Sequence, residues 1–183
     1  MSACRCSSAP RSGTPGDTGR TVRRSVIVMG VTGSGKSALG QALAQALHWP
    51  FVEGDTLHPA ANVTKMSAGI PLDDVDRIPF LENVAQVIAS QPGPVVISCS
   101  ALKRAYRDVL RRADPQLLFV HPLLSRDQLQ ARLRQRRDHF MPAALLDSQL
   151  HDLETPGPDE RCIQIDGSTS LNQQVALTLA RFF

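Results

Sequence analysis

Residues 30 to 37 read Gly30-Val31-Thr32-Gly33-Ser34-Gly35-Lys36-Ser37 and satisfy the phosphate-loop template G-x-x-x-x-G-K-[ST] at every fixed position. The flanks decide whether such an octapeptide is a loop or a coincidence. Ser25 to Met29 is a β-branched apolar run, and Ser37 to His48 carries apolar residues at helical spacing, so the motif lies between a strand and a helix as its mechanism requires. In that setting the backbone N–H groups of residues 30 to 35 point inward and the helix N-terminus adds positive potential. Lys36 then reaches the outer phosphates of a nucleoside triphosphate, and Ser37 is a candidate Mg²⁺ ligand.

At 183 residues and 42% hydrophobic content the chain suits one domain with a real core. The formal net charge of +3 is unevenly spread, because residues 1 to 24 hold five Arg against one Asp while the remainder is nearly neutral. A near-neutral globular part gives no general reason to expect a nucleic-acid partner. Four cysteines, none in a C-x-x-C pair with companion histidines, predict no zinc site and fit a reduced, cytoplasmic protein. No apolar run is long enough for a membrane span. The first 24 residues are rich in Ser, Gly, Thr, Pro and Arg; they share an acid-poor composition with transit peptides but lack amphipathic periodicity, so a disordered basic tail is expected.

Along the rest of the chain, residues 25 to 183, strands and helices alternate. Phe51 to Glu53 is a second strand ending at Gly54-Asp55, and in open parallel sheets that edge also carries the phosphate loop, so Asp55 and Lys36 are expected to face one crevice. Pro59 is placed as a first helical residue of a short helix to about Met66, with Asn62 and Lys65 about a turn apart. Asp73, Asp74 and Asp76 read as helix-start chemistry for a helix bearing Phe80, Leu81, Val84 and Ile88. Arg77 does not: a cation at a helix start is unfavourable and implies an anionic partner. Val95 to Ser98 is a buried third strand with no aspartate at its end, and there is no Asn-Lys-x-Asp signature, which argues against a motor or a guanine-nucleotide switch. Then follow a basic helix over Lys103 to Arg112, a strand over Leu117 to Val120, and a helix from Ser125 opened by a Ser-x-x-Gln capping box. Arg132, Arg136 and Arg137 run into His139-Phe140-Met141-Pro142, a composition suited to a lid over phosphates, spanning about residues 132 to 150. A helix over Ala143 to Leu153, a fifth strand at Cys162 to Ile165, and a last helix from Ser170 complete the pattern. It predicts an α/β three-layer sandwich: a five-stranded parallel sheet covered by helices on both faces.

Several ordered stretches resemble the gluconate kinases (gluconokinases), P-loop small-molecule kinases related to shikimate kinases. They are Gly54-Asp55-x-x-His58-Pro59-x-x-Asn62-x-x-Lys65-Met66, Gly69-x-Pro71-Leu72-x-Asp74-x-Asp76-Arg77-x-Pro79, Cys99-Ser100-Ala101-Leu102-Lys103 with Tyr106-Arg107-Asp108, and His139-Phe140-Met141 with Ser148-Gln149, Leu153-Glu154-x-Pro156 and Asp159-Glu160. The resemblance implies ATP- and Mg²⁺-dependent phosphorylation of D-gluconate at its 6-hydroxyl. It also implies that Asp55 orients and deprotonates that hydroxyl, that Arg77 holds the carboxylate, and that His58, Ser100 and Lys103 line the sugar-acid site. Arg132 would flank the adenine and Arg136 would come from the lid. Related kinases are often dimers, so a homodimer is expected by analogy. Glu53 stands where the family commonly has Asp, Phe80 where it has Trp, and Asp138 where a Gly precedes His-Phe; a carboxylate there would repel ATP phosphates and oppose lid closure. Two rivals stay open at this stage: a kinase of another small hydroxy acid such as shikimate, and a nucleotide-binding regulator with weak transfer activity.

A chain beginning near Val22 should keep its melting temperature, because the residues removed lack the apolar content to join a core. A melting point lower by several degrees in a thermal scan would show that the tail docks.

Overall fold

The computed structural model describes residues 24–135 and 143–182. The elements in chain order are β1 (Val26–Val28), α1 (Lys36–Leu47), β2 (Phe51–Glu53), a 3₁₀ turn (Gly54–Leu57), α2 (Ala60–Ser67), α3 (Asp74–Ser90), β3 (Val96–Ser98), α4 (Arg104–Ala113), β4 (Leu118–Leu123), α5 (Arg126–Gln135), α6 (Ala143–Asp152), β5 (Cys162–Asp166) and α7 (Leu171–Phe182). The five strands form one parallel sheet in the order β2-β3-β1-β4-β5.

Period-two alternation divides the strand residues between two cores. Ile27, Met29, Ile97, Cys99 and Phe119 pack on one face with Phe80, Leu81, Val84 and Ile88 of α3 and Tyr106 and Leu110 of α4. Val26, Val28, Val96, Val120, Ile163 and Ile165 pack on the other with Leu39 and Leu43 of α1 and Val175 and Leu179 of α7. The three-layer arrangement expected from the alternating pattern is therefore the one adopted. No described helix is long and apolar enough to cross a membrane.

Two local readings need correction. β4 runs on through Pro122 to Leu123 instead of stopping at Val120. Beyond Val120 the strand pairs only with β5, so Pro122, which lacks an N–H, has no β1 neighbour to satisfy. Pro59 precedes the first helical residue of α2, with ψ 151 outside the helical range. The three aspartates before Arg77 do stand at the start of α3: Asp73 and Asp76 form a reciprocal capping box, and Asp74, in the first turn, also bonds across to Lys103 and Tyr106. The capping boxes expected at Ser125 and Ser170 both form, with Gln128 and Gln173 as partners.

Arg107 of α4 is wholly buried and donates from Nε and Nη2 to Glu160 at 2.6 and 2.9 Å. Its Nη1 donates to the carbonyls of Leu102 at 2.8 Å, Glu154 at 3.1 Å and Ala101 at 3.2 Å. This charge is paired and its donors are used, which is the condition under which a buried ion pair is tolerated. The bond from Arg107 holds the Glu160 carboxyl below its ordinary value of 4.5. A carboxyl depressed in the folded state stabilises above its unfolded value, and that stability is lost as pH falls through the lower, folded value. Glu160→Ala should lower unfolding free energy by about 3–5 kcal/mol at neutral pH. Denaturant melts should also show the variant losing less further stability than the wild-type protein as pH drops below 4.5. Equal acid sensitivity would contradict the assignment.

Candidate active site

β1 feeds directly into the loop at Gly30–Ser37, and α1 begins within it at Lys36. Gly35 is the residue before the helix and has φ 90, a left-handed conformation that a side chain would strain. The loop is braced from outside. Gly30 N–H donates to the carbonyl of Ser100 at 3.2 Å, Thr32 N–H to Oε1 of Gln149 at 2.7 Å, and Arg132 donates to the carbonyls of Ser34 at 3.3 Å and Gly167 at 2.6 Å. The N–H groups of Gly33, Lys36 and Ser37 make no hydrogen bond to another described residue. The Ser34 hydroxyl is buried without a partner among the described residues, so the concave side of the loop presents unmet polar groups. That donor set fits phosphate oxygens. His121, within β4, lies beside Gly30 of the loop; burial, then the nearby Arg107, press its pKa down to about 4, so it is neutral there.

Across the sheet edge, Gly54 lies so close to β3 that a Cβ would sit 1.9 Å from the carbonyl oxygen of Ser98. Its N–H donates to the Ser98 hydroxyl at 3.1 Å, and that hydroxyl donates to Glu53. Glu53 and Gly54 are thus fixed against β3 just before the chain turns outward to expose Asp55. His58 follows, its ring stacked on Phe80 at 3.7 Å between centroids and 10° between planes. Burial lowers the His58 pKa; the Asp55 carboxylate opposes this, and the charges of Arg77 and Lys36 add to it. Asp55, Arg77 and Lys36 therefore all act on one imidazole, so the structure brings together the predicted phosphate, hydroxyl and carboxylate residues.

Arg77 is 6% exposed. Its Nε donates to the Leu72 carbonyl at 3.4 Å and its guanidinium lies 5.8 Å from the centre of the Tyr106 ring, but among the described residues no carboxylate comes within the 4 Å of an ion pair. Lys103, by contrast, is already engaged: its ammonium is 2.6 Å from Asp74 and 3.8 Å from Asp152. Tyr106 also donates to Asp74; burial and that bond push the phenol up to about 12, so it stays protonated. Ser100 sits between the two halves of the site, giving its carbonyl to Gly30, and the next residue, Ala101, has φ 42. Arg136 lies outside the described residues, as do Asp138 and the middle of the expected lid.

Sequence reading missed the latch between α2 and α3. Lys65 bonds both oxygens of Asp76 at 2.6 and 2.7 Å, and Asn62 donates to the Asp76 carbonyl at 2.7 Å. The helical spacing of Asn62 and Lys65 was the available signal; what it lacked was their common partner. Gln149 was visible only within a longer resemblance, with no chemistry attached.

A family model described as an AAA domain matches residues 26–156. The gluconokinase of Gluconobacter oxydans (strain 621H) is 49% identical over 147 residues, which cover 79% of this chain and 83% of that protein. The thermosensitive gluconokinase of Escherichia coli (strain K12) is 45% identical over 144 residues, 76% of each chain. Among solved structures, a gluconokinase from Sinorhizobium meliloti 1021 is 48% identical with a TM-score of 0.81, covering 88% of this chain and 92% of that one. This chain belongs to the gluconokinase family.

Two departures from the gluconokinase pattern find a place in the structure. Glu53 keeps a carboxylate on Ser98, and Phe80 keeps an aromatic plane beneath His58. The contact at Gly54 yields a sharp test. Gly54→Ala must part β2 from β3 or displace the turn that carries Asp55, so it should destabilise by about 1–3 kcal/mol and depress turnover by more than the melting-point shift explains. A fully active variant with an unchanged melting temperature would show that the turn does not depend on this contact.

Proposed function

We propose that this gluconokinase-family chain transfers the γ-phosphoryl group of ATP to the 6-hydroxyl of D-gluconate, giving 6-phospho-D-gluconate and ADP. The observation that carries the reading is Arg77, a buried guanidinium with no carboxylate partner among the described residues, acting on the same imidazole as Asp55 and Lys36. An unpaired buried charge is expensive, and a guanidinium matches a carboxylate through two parallel bonds, so Arg77 fits the acid end of the substrate. An open-chain sugar acid anchored there extends its terminal hydroxyl toward Asp55.

Each residue then has a distinct role. Gly30, Val31, Thr32, Gly33, Ser34 and Gly35 line the phosphate cradle, and Lys36 stabilises charge on the transferring group. Asp55 orients the hydroxyl and takes its proton late in a loose transition state. Ser37 would hold Mg²⁺ together with the phosphate oxygens, and the ion, when bound, neutralises phosphate charge. Arg132, already braced on Ser34 and Gly167, is assigned to the adenine side, and Arg136, outside the described residues, keeps the lid role that the resemblance implies. His58 and Ser100 line the polyol; Lys103 contributes while remaining on Asp74.

ADP release measured with D-gluconate, shikimate, glucose and nucleoside monophosphates should rise only with gluconate; turnover of another acceptor in its place would overturn the substrate. Lys36→Ala should abolish most turnover in a folded protein. Asp55→Asn should lower kcat with little change in KM, whereas Arg77→Ala should raise gluconate KM roughly tenfold or more and leave ATP KM similar, since a charge-assisted bond contributes about 1.5–3 kcal/mol. A neutral polyol should be used no worse by Arg77→Ala than by the wild-type protein. Unchanged gluconate KM in Arg77→Ala would remove Arg77 from the site.

A further inference from the structure

We infer that Asn62 is a positioning residue that fixes the tautomer of His58, so that the imidazole presents Nε2–H as a hydrogen-bond donor to an acceptor oxygen of the substrate. The identity of that substrate rests on the function proposed above; the tautomer does not.

The orientation of the Asn62 amide is set by a partner that can only accept. Its terminal atom lies 2.7 Å from the backbone carbonyl oxygen of Asp76, and an amide oxygen there would bring two acceptors together, so the group facing Asp76 is the NH₂. The same nitrogen is 3.3 Å from Nδ1 of His58. An amide NH₂ has two hydrogens to give. With one on Asp76, the other points at Nδ1, which must offer a lone pair. A neutral imidazole with Nδ1 unprotonated carries its proton on Nε2. The imidazolium, with N–H on both nitrogens, would set two donors against each other at this contact.

The surroundings hold the arrangement in place. Asn62 is 3% exposed, so water cannot readily replace either bond, and the Phe80 stack fixes the plane of the ring. The charged groups acting on His58 are Asp55 from the 3₁₀ turn, Arg77 from α3 and Lys36 from α1; burial and the two cations together favour the neutral ring, against Asp55. The Asp76 carboxylate is occupied by Lys65, so Asp76 meets Asn62 through its backbone alone. Nε2 has no hydrogen-bond partner among the described residues. A donor at that position recognises a hydroxyl or carboxylate oxygen and cannot accept the proton of the reacting hydroxyl, which leaves that task to Asp55.

The test is nitrogen-15 NMR of the His58 ring in the full, unliganded chain at neutral pH, with His58→Gln used to assign the signals. The expected spectrum has a pyridine-type Nδ1 and a pyrrole-type Nε2; a pyrrole-type Nδ1, or fast averaging between the tautomers, would overturn the inference. Asn62→Asp then replaces the donor with an acceptor of the same shape. It should keep a proton on Nδ1 and hold His58 as imidazolium at pH values where the wild-type ring is neutral; once that imidazolium titrates, the proton leaves Nε2, so gluconate kcat/KM should fall about tenfold below the wild-type value as pH rises. A role limited to bracing Asp76 would leave the His58 titration as in the wild-type protein, and that result also overturns the inference. If Asn62→Asp does not fold, the wild-type spectrum decides alone. A spectrum as expected in a protein that ignores gluconate would sink the substrate and leave the tautomer standing; a protonated Nδ1 in an active gluconate kinase would do the reverse.

Discussion

A three-residue strand, hydrogen-bonded on both sides, governs where everything else in this protein can lie. β1 is fully buried, and buried peptide groups must be paired, so its register against β3 and β4 is fixed: Val28 stands beside Ser98 on one side and Val120 on the other. The ladder continues past the strand ends through Cys99 to Val28, Met29 to Val120 and Gly30 to Ser100. The phosphate loop and the Ser100 loop are consequently stitched together before any ligand arrives. β2 joins the same edge through the Gly54 contact with Ser98, which brings the Asp55 turn level with the loop.

On this frame the two halves of the site are stiffened by different means. The phosphate half relies on backbone amides with few side-chain partners, supported from behind by Arg132 and Gln149. The other half, proposed above to take the sugar acid, relies on ion pairs between α2, α3 and the start of α4. Asp76 is taken by Lys65 and Asp74 by Lys103 and Tyr106, so both acids beside Arg77 are already committed and Arg77 has no carboxylate partner among the described residues. In the proposed reading, substrate binding there completes an interaction that folding leaves unsatisfied, which is how a site gains selectivity for an anion over a neutral polyol.

The frame and the phosphate loop were legible in the sequence because both are encoded locally. Residues 30 to 37 name their own backbone geometry, and the alternation of β-branched runs with helical spacing announces a parallel sheet. Capping boxes at Ser125 and Ser170 likewise need only four residues. What stayed hidden depends on partners far apart in the chain: Arg107 and Glu160 are separated by 53 residues, and Lys103 and Asp74 by 29. Lys103 entered only as a substrate-site residue implied by resemblance, and Asp74 as a helix-start charge, with no local signal that the two are partners. The end of β4 was misplaced for a related reason, since Pro122 is tolerable only because β1 stops short of it.

The central claim is directional: the acid end of the substrate lies on Arg77, and the opposite end meets Asp55 and the phosphoryl group. Regiochemistry reports on this directly. With uniformly carbon-13-labelled D-gluconate and ATP, the NMR spectrum of the product should show phosphorus coupling at C6, the carbon farthest from the carboxylate. Coupling at any carbon nearer the carboxylate would mean that the sugar acid sits the other way round, or elsewhere, and would contradict the account.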